Sequence, residues 1–252
     1  MSMALRVLCL HGGGTHVEIM RLQTAKLRRV LGARAELEFM QGTRVMDAVD
    51  PSVRDRFAGP FYGWYDVTHD DVPGRDYTDT LLDNSITFHY PDVDAALARL
   101  DRHVASNSYD VLLGFSQGAI LITLLTALQL RDGRTPAWRS NALVCPMPVR
   151  ANRFLHLFPK AAAPLDFPCT VAQGLQDPYY AWCRGVAEQY ERPERVDFAG
   201  GHRFPHSLAD TEALAAAILR ACPKSAGSSR VRATPRASSA ELTACDTHSV
   251  RI

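Results

Sequence analysis

The sequence predicts an α/β domain, a mostly parallel sheet of six strands with helices on both faces. Three observations carry this. Short β-rich runs alternate with longer helical patterns. Several of these runs are continuously apolar, as strands buried on both faces must be. The chain has 252 residues, 46% of them hydrophobic, enough for one domain with a sizeable core.

The β-rich runs fall at 5–10, 36–40, 111–115, 142–147, 169–173 and 195–199. A helix is expected near 17–31. Val93, Leu97, Leu100 and Val104 recur at i, i+4, i+7 and i+11, one face of a helix that Pro91-Asp92 can open. Residues 117–130 are apolar nearly all round, so this helix should lie buried on the sheet. Residues 208–221, rich in Ala and Leu, end near Pro223.

Two stretches depart from the alternation. Residues 41–90 have no clear period and carry Pro51, Pro60 and Pro73 with many aromatics, among them Phe61, Tyr62, Trp64, Tyr65, Phe88 and Tyr90. A loop this long in a compact domain is usually functional or disordered, and its aromatic content argues against disorder. It reads as a partly structured insertion that covers or lines a site. Residues 224–252, rich in Ser, Thr, Ala and Arg, read as a disordered tail, so the folded domain spans 1–223.

The formal net charge is +1, from 28 basic and 27 acidic side chains. That balance gives no broad attraction to nucleic acid or to an anionic membrane, and a small-molecule partner fits better. No stretch approaches the ~18 apolar residues of a membrane helix. Residues 1–10 lack the basic region of a secretory signal, so a cytoplasmic protein with reduced thiols is expected. Cys9, Cys145 and Cys169 fall in runs that read as buried strands. No Cys-x-x-Cys pair suggests a zinc or thioredoxin-like site.

Gly114-Phe115-Ser116-Gln117-Gly118 is a G-x-S-x-G sequence. It follows a strand pattern and precedes a helical one, the context in which such a serine sits on a sharp turn with its hydroxyl above the sheet. The flanking glycines leave room for close strand–helix packing, and the helix N-terminus favours developing negative charge. A serine hydroxyl needs a base, and the base needs a carboxylate to fix its tautomer. In the order Ser, Asp, His that α/β-hydrolases use, Asp177 follows the fifth strand run and His202 the sixth. Both sit where catalytic groups collect, at carboxyl ends of strands. His206 is a rival base but lies behind Pro205 near a helix start; Asp166 and Asp197 are worse placed than Asp177.

His11-Gly12-Gly13-Gly14 ends the first strand, like the loop that lends a backbone N–H to the oxyanion hole of lipases and esterases. Gly13 and Gln117 are the expected donors. The rival is a phosphate-binding glycine loop. It would need a third glycine at Val17 and an acid after the second strand, and neither is evident. His11, His16 and Cys9 match no usual metal-ligand spacing.

Taken together, Leu10-His11-Gly12, the Gly-Pro-Phe-Tyr-Gly-Trp-Tyr run at 59–65, the Gly-Phe-Ser-Gln-Gly-Ala run at 114–119, Gly174 with Asp177, and the Gly-His-Arg-Phe-Pro run at 201–205 resemble the FSH-type serine hydrolases. That family takes in fungal esterases and thioesterases and an ovarian-tumour-associated animal protein. The resemblance covers about residues 5–222. It implies a compact α/β-hydrolase without a large lid, acting on carboxylic esters or acyl thioesters with no cofactor and no metal. Carried over by position, it again assigns Ser116, Asp177 and His202. Gly13-Gly14 and Cys145-Pro146-Met147-Pro148 depart from the family's usual residues and should alter the pocket.

The strands, numbered as they occur, are then expected in the order 2-1-3-4-5-6. The expected chemistry is cleavage of esters with an apolar acyl chain through an acyl-enzyme on Ser116. Met147, Leu175, Pro178, Tyr179 and the aromatic insertion are candidates for the acyl pocket, though such residues also serve as ordinary core. The alternatives are a thioesterase that unloads acyl chains from a carrier and a non-catalytic binding module on the same fold. A redox or scaffold role for Cys183 or Cys222 lacks an activating neighbourhood.

Overall fold

A computed structural model describes residues 4–47, 49–70, 77–83, 85–158 and 163–222. The tail expected over 224–252 and Pro73 lie outside the described residues. The central sheet has six strands: β1 Leu5–Leu10, β2 Ala35–Met40, β3 Val111–Phe115, β4 Ser140–Val144, β5 Cys169–Gly174 and β6 Glu194–Phe198. They lie in the order β6-β5-β4-β3-β1-β2, and every pairing is parallel. This is the expected 2-1-3-4-5-6 arrangement.

Side chains alternate across a strand with period two, and here the alternation sorts the core into two apolar clusters, one for each face. Leu8, Leu10, Leu112, Leu143 and Val171 join one cluster. Their neighbours Val7, Cys9, Val111, Leu113, Val144 and Ala172 join the other. The first face is covered by α3 (Val93–Ser106), α4 (Gln117–Arg131) and α5 (Tyr180–Ala187), which contribute Leu97, Leu100, Leu121, Leu124 and Val186. The second is covered by α1 (Val17–Gln23), α2 (Ala25–Leu31) and α6 (Leu208–Ala221), through Met20, Leu27, Leu31, Leu214 and Ile218. The Ser207 hydroxyl caps α6 by accepting from Asp210 N at 3.0 Å.

Three expectations need correction. The helix near 17–31 is two helices, because Thr24 breaks the run and its hydroxyl donates back to the Met20 carbonyl at 2.7 Å. The fourth strand spans Ser140–Val144 rather than 142–147: Cys145 turns to φ 46, and Pro146 and Pro148 have no N–H to give a ladder. The sixth ends at Phe198, one residue before the expected end. The insertion holds two short antiparallel ribbons, Arg44–Val45 with Tyr62–Gly63 and Thr68–His69 with Phe88–His89. Short helices at Pro51–Arg54 and Tyr77–Leu82 lie in the connections that join the two strands of each ribbon. Among the described residues, no helix is long and apolar enough to cross a membrane.

Candidate active site

Because all six strands run the same way, their carboxyl ends share one edge of the sheet, and the site is assembled there. Ser116 joins β3 to α4 at φ 50 and ψ −117, a left-handed conformation that strains an L-residue. The two flanking glycines explain why the chain tolerates it. A Cβ on Gly114 would lie 2.6 Å from the Ala119 nitrogen, and one on Gly118 would lie 2.6 Å from the Leu10 carbonyl oxygen. Strand and helix therefore approach more closely than any side chain would permit. The Ser116 N–H donates to the Val144 carbonyl at 3.1 Å, which fixes the turn to β4.

Asp177 stands three residues beyond β5 and His202 four beyond β6. Their loops are stitched together: Leu175 N donates to Phe198 O at 2.9 Å and Gln176 N to Gly200 O at 2.8 Å. The contact requires glycine at 174, where a Cβ would come within 2.3 Å of the Gly201 carbonyl oxygen. The result is a continuous chain of hydrogen bonds. Ser116 Oγ is 2.9 Å from His202 Nε2, and His202 Nδ1 is 2.8 Å from Asp177 Oδ2. Asp177 Oδ1 accepts from Tyr179 N at 2.8 Å. The Asp177 side chain is 0% exposed and that of His202 25%. The rivals are engaged elsewhere: His206 is exposed and its carbonyl receives Lys26 Nζ, Asp197 accepts from Gln173, and Asp166 pairs with Arg192.

Burial by itself would raise the Asp177 carboxyl. The bond and charge of His202, with the Tyr179 N–H and the Cys145 thiol, outweigh it and hold this acid below the usual carboxylate range. The carboxylate is thus ionised and faces Nδ1, so Nδ1 carries the proton and Nε2 presents its lone pair to the serine. Phe115 and Tyr179 flank the imidazole at centroid distances of 5.2 and 5.4 Å. Cys145 Sγ lies 3.4 Å from the Arg203 carbonyl, and burial pushes its thiol up to about 12. Cys145, Asp177 and His202 are the one trio of described residues whose ligand atoms lie close enough for a metal, within 4.8 Å of one another. A metal there would have to displace the Nδ1 proton and ionise that thiol, so the trio fits a hydrogen-bonded network better.

On the other side of Ser116, the loop after β1 passes close to the turn. A Cβ on Gly12 would lie 3.4 Å from Ser116 Cβ, and one on Gly13 3.1 Å from Gln117 Oε1. Among the described residues, the N–H groups of Gly13 and Gln117 have no acceptor. The Gly12 carbonyl, by contrast, is held twice, by His11 Nδ1 at 2.7 Å and by the Thr15 hydroxyl at 2.7 Å. His11 is 0% exposed, and burial lowers its pKa to about 4, so it is neutral. Gly42 N–H donates to its Nε2 at 2.9 Å, which leaves the ring proton on Nδ1.

Sequence reasoning did not anticipate the part played by the Gln117 side chain. Its Oε1 accepts from Trp64 N and its Nε2 donates to Tyr65 O, both at 2.9 Å, while Trp64 Nε1 donates to His11 O at 2.7 Å. The aromatic insertion is thereby clamped to the serine turn. Of the four pocket candidates outside the insertion, Tyr179 is seated edge-on against the histidine. Leu175 and Pro178 are exposed on either side of the Gln176-Asp177 pair, and Met147 is buried in the apolar core.

Comparison with known proteins is consistent with this geometry. A family model described as "Serine hydrolase (FSH1)" matches residues 1–214. A probable esterase of Aspergillus terreus is 31% identical over 235 residues, covering 84% of this chain and 87% of that one. The esterase pigG of Monascus ruber is 31% identical over 251 residues, with 85% and 90% covered. Among solved structures, esterase PE8 gives a TM-score of 0.56 at 17% identity, covering 88% and 94% of the two chains. Acyl-protein thioesterase 2 of Zea mays gives 0.57 at 14% identity, covering 88% and 96%. At those identities the solved structures speak for the α/β-hydrolase fold alone.

Proposed function

Since the chain belongs to the FSH1 serine hydrolase family, we propose that it is an esterase that cleaves carboxylic esters with an apolar acyl chain through an acyl-enzyme on Ser116. The observation that carries this reading is the unbroken hydrogen-bond chain from Ser116 Oγ through His202 to the buried carboxylate of Asp177. The esterase names of relatives in Aspergillus terreus and Monascus ruber support the same chemistry.

In this mechanism Ser116 Oγ attacks the ester carbonyl carbon as His202 Nε2 takes its proton. The carbonyl oxygen becomes an oxyanion, received by the N–H groups of Gly13 and Gln117. A peptide unit is planar and trans, so its C=O and N–H point in opposite directions. Holding the Gly12 carbonyl with His11 and Thr15 therefore aims the Gly13 N–H before any charge develops. Each such donor contributes about 3 to 4 kcal/mol to lowering the barrier. The intermediate collapses, the C–O bond to the leaving group breaks, and His202 returns the proton to the departing alcohol. Water then repeats the sequence on the acyl-enzyme, with His202 as base, and releases the carboxylic acid. Asp177 keeps the imidazole in the Nδ1–H tautomer and stabilises its charged form. No step calls on a cofactor or a metal.

Tyr179, Leu175 and Pro178 beside the triad and the clamped insertion form the acyl side of the site in this reading. The free, buried cysteines 9, 145, 169, 183 and 222 fit a reducing compartment and support a cytoplasmic location. The test is a chain-length series of p-nitrophenyl esters run beside matched thioesters, with wild type and Ser116→Ala. The expected result is turnover that rises with acyl length on the oxygen esters and falls by about three or more orders of magnitude in Ser116→Ala. Selective turnover of the thioesters would move the assignment to a thioesterase. Absence of turnover on both would leave a binding module.

A further inference from the structure

Beside the edge strand of the sheet, an open cavity of about 470 Å³ lies between the end of β2 and helix α3. Its walls are Phe39, Met40 and Gln41 on one side and Arg99, Arg102, His103, Ser106 and Asn107 on the other. The lining contains two guanidinium groups and no carboxylate. The neighbouring acids are already committed. Glu38 accepts from Arg6 and from the Tyr109 hydroxyl at 2.8 Å. Asp101 accepts from Gln129 at 2.6 Å and pairs with Arg134.

Arg44, Arg153 and Arg220 each pair with an acid. Among the described residues, Arg99 and Arg102 face none. Arg99 is half-buried and donates to the Gln41 carbonyl at 2.8 Å, its one protein acceptor among them. Partial burial lowers its pKa with no acid beside it to offset the shift, as expected of a cation drawn from water without a counter-charge. An anion in the cavity would relieve that cost. Ser106 adds a hydroxyl to the same lining, while the Gln41 and Asn107 side chains already bond Val17 N and the His103 carbonyl.

We propose that this cavity is a second, non-catalytic site, which takes the phosphate group of a small phosphate monoester between Arg99 and Arg102. A bare inorganic ion would leave most of such a volume unfilled, and paired guanidinium groups suit a tetrahedral oxyanion with several acceptor oxygens. The site shares no residue with the Ser116–His202–Asp177 chain, so it stands or falls independently of the esterase reading.

The experiment is calorimetric titration of the full chain with phenyl phosphate at constant ionic strength. The proteins compared are wild type, Ser116→Ala, Arg99→Gln, Arg102→Gln and Arg192→Gln, the last a surface arginine paired with Asp166. The expected result is saturable one-to-one binding to wild type, Ser116→Ala and Arg192→Gln. Affinity should fall by at least about tenfold in Arg99→Gln and in Arg102→Gln. Arg102 is exposed, so its variant keeps the test open if Arg99→Gln does not fold. Absence of saturable binding to wild type, or binding unchanged in Arg102→Gln, would overturn the proposal.

Discussion

Replacing Asp177 by Asn perturbs the site at a single proton. The side chain keeps its shape and stays fully buried. The Asn carbonyl oxygen can still accept from Tyr179 N, a bond of 2.8 Å. The amide NH2 then faces His202 Nδ1 across the position where a carboxylate oxygen now accepts at 2.8 Å. Two donors cannot share that contact, so Nδ1 gives up its proton and the imidazole becomes the Nε2–H tautomer. Across the 2.9 Å contact with Ser116 Oγ, Nε2 can then only donate. The base is lost while the geometry survives. The expected cost is about 10⁴-fold in kcat/KM, or about 5.5 kcal/mol of transition-state stabilisation. Initial rates on p-nitrophenyl butyrate measure it, with thermal melts to establish that the variant is folded. A folded Asp177→Asn protein that keeps more than about a tenth of wild-type kcat/KM would refute the reasoning.

Other perturbations follow from the same contacts. Gly174→Ala places a methyl group against the Gly201 carbonyl and must displace the His202 loop; kcat/KM should fall by about 100-fold or more with Ser116 untouched, and near-normal kinetics would count against the contact. Gln117→Ala leaves the buried Trp64 N–H without its acceptor and takes one donor from the Tyr65 carbonyl, so urea unfolding should show a loss of about 1 to 3 kcal/mol. Thr15→Val removes one of the two donors that hold the Gly12 carbonyl; kcat should drop by about tenfold with little change in KM, whereas a change confined to KM would place Thr15 in binding instead. His11, neutral in the fold with its pKa lowered to about 4, leaves the unfolded chain to take up the proton first as pH falls. Its contribution is fully present above about pH 6.5 and is lost on the way down to about pH 4, by about 3 kcal/mol in all. Urea melts of wild type and His11→Gln from pH 7 to 4.5 should show a flatter pH slope for the variant, and equal slopes would assign the acid sensitivity elsewhere.

What could be read in the sequence follows from the range of the interactions that set it. The buried strands announce themselves because both faces are covered, so Val111-Leu112-Leu113 shows no polar alternate. The serine turn is legible because its constraint is local: Gly114 and Gly118 flank the strained residue within the same five positions. Asp177 and His202, which the fold brings into hydrogen-bond contact, could be singled out because strand ends and chain order limit the choices. The break at Thr24 was hidden because threonine is tolerated within helices, and what ends the run is a side-chain bond back to Met20. Helix α5 is only eight residues long and starts just beyond the Asp177-Pro178 turn, too short for a period to show. The ribbons of the insertion are two residues a side, below what any alternation can signal. The Gln117 clamp joins residues 53 positions apart, and only the folded chain brings them together.

The most direct test of the account is the site of covalent capture by a fluorophosphonate. Intact mass and peptide mapping should give one adduct per chain, on the peptide that carries Ser116, and capture should slow sharply in His202→Ala. An adduct on another residue, or hydrolysis that persists in protein whose Ser116 is fully blocked, would contradict the claim that this serine is the nucleophile.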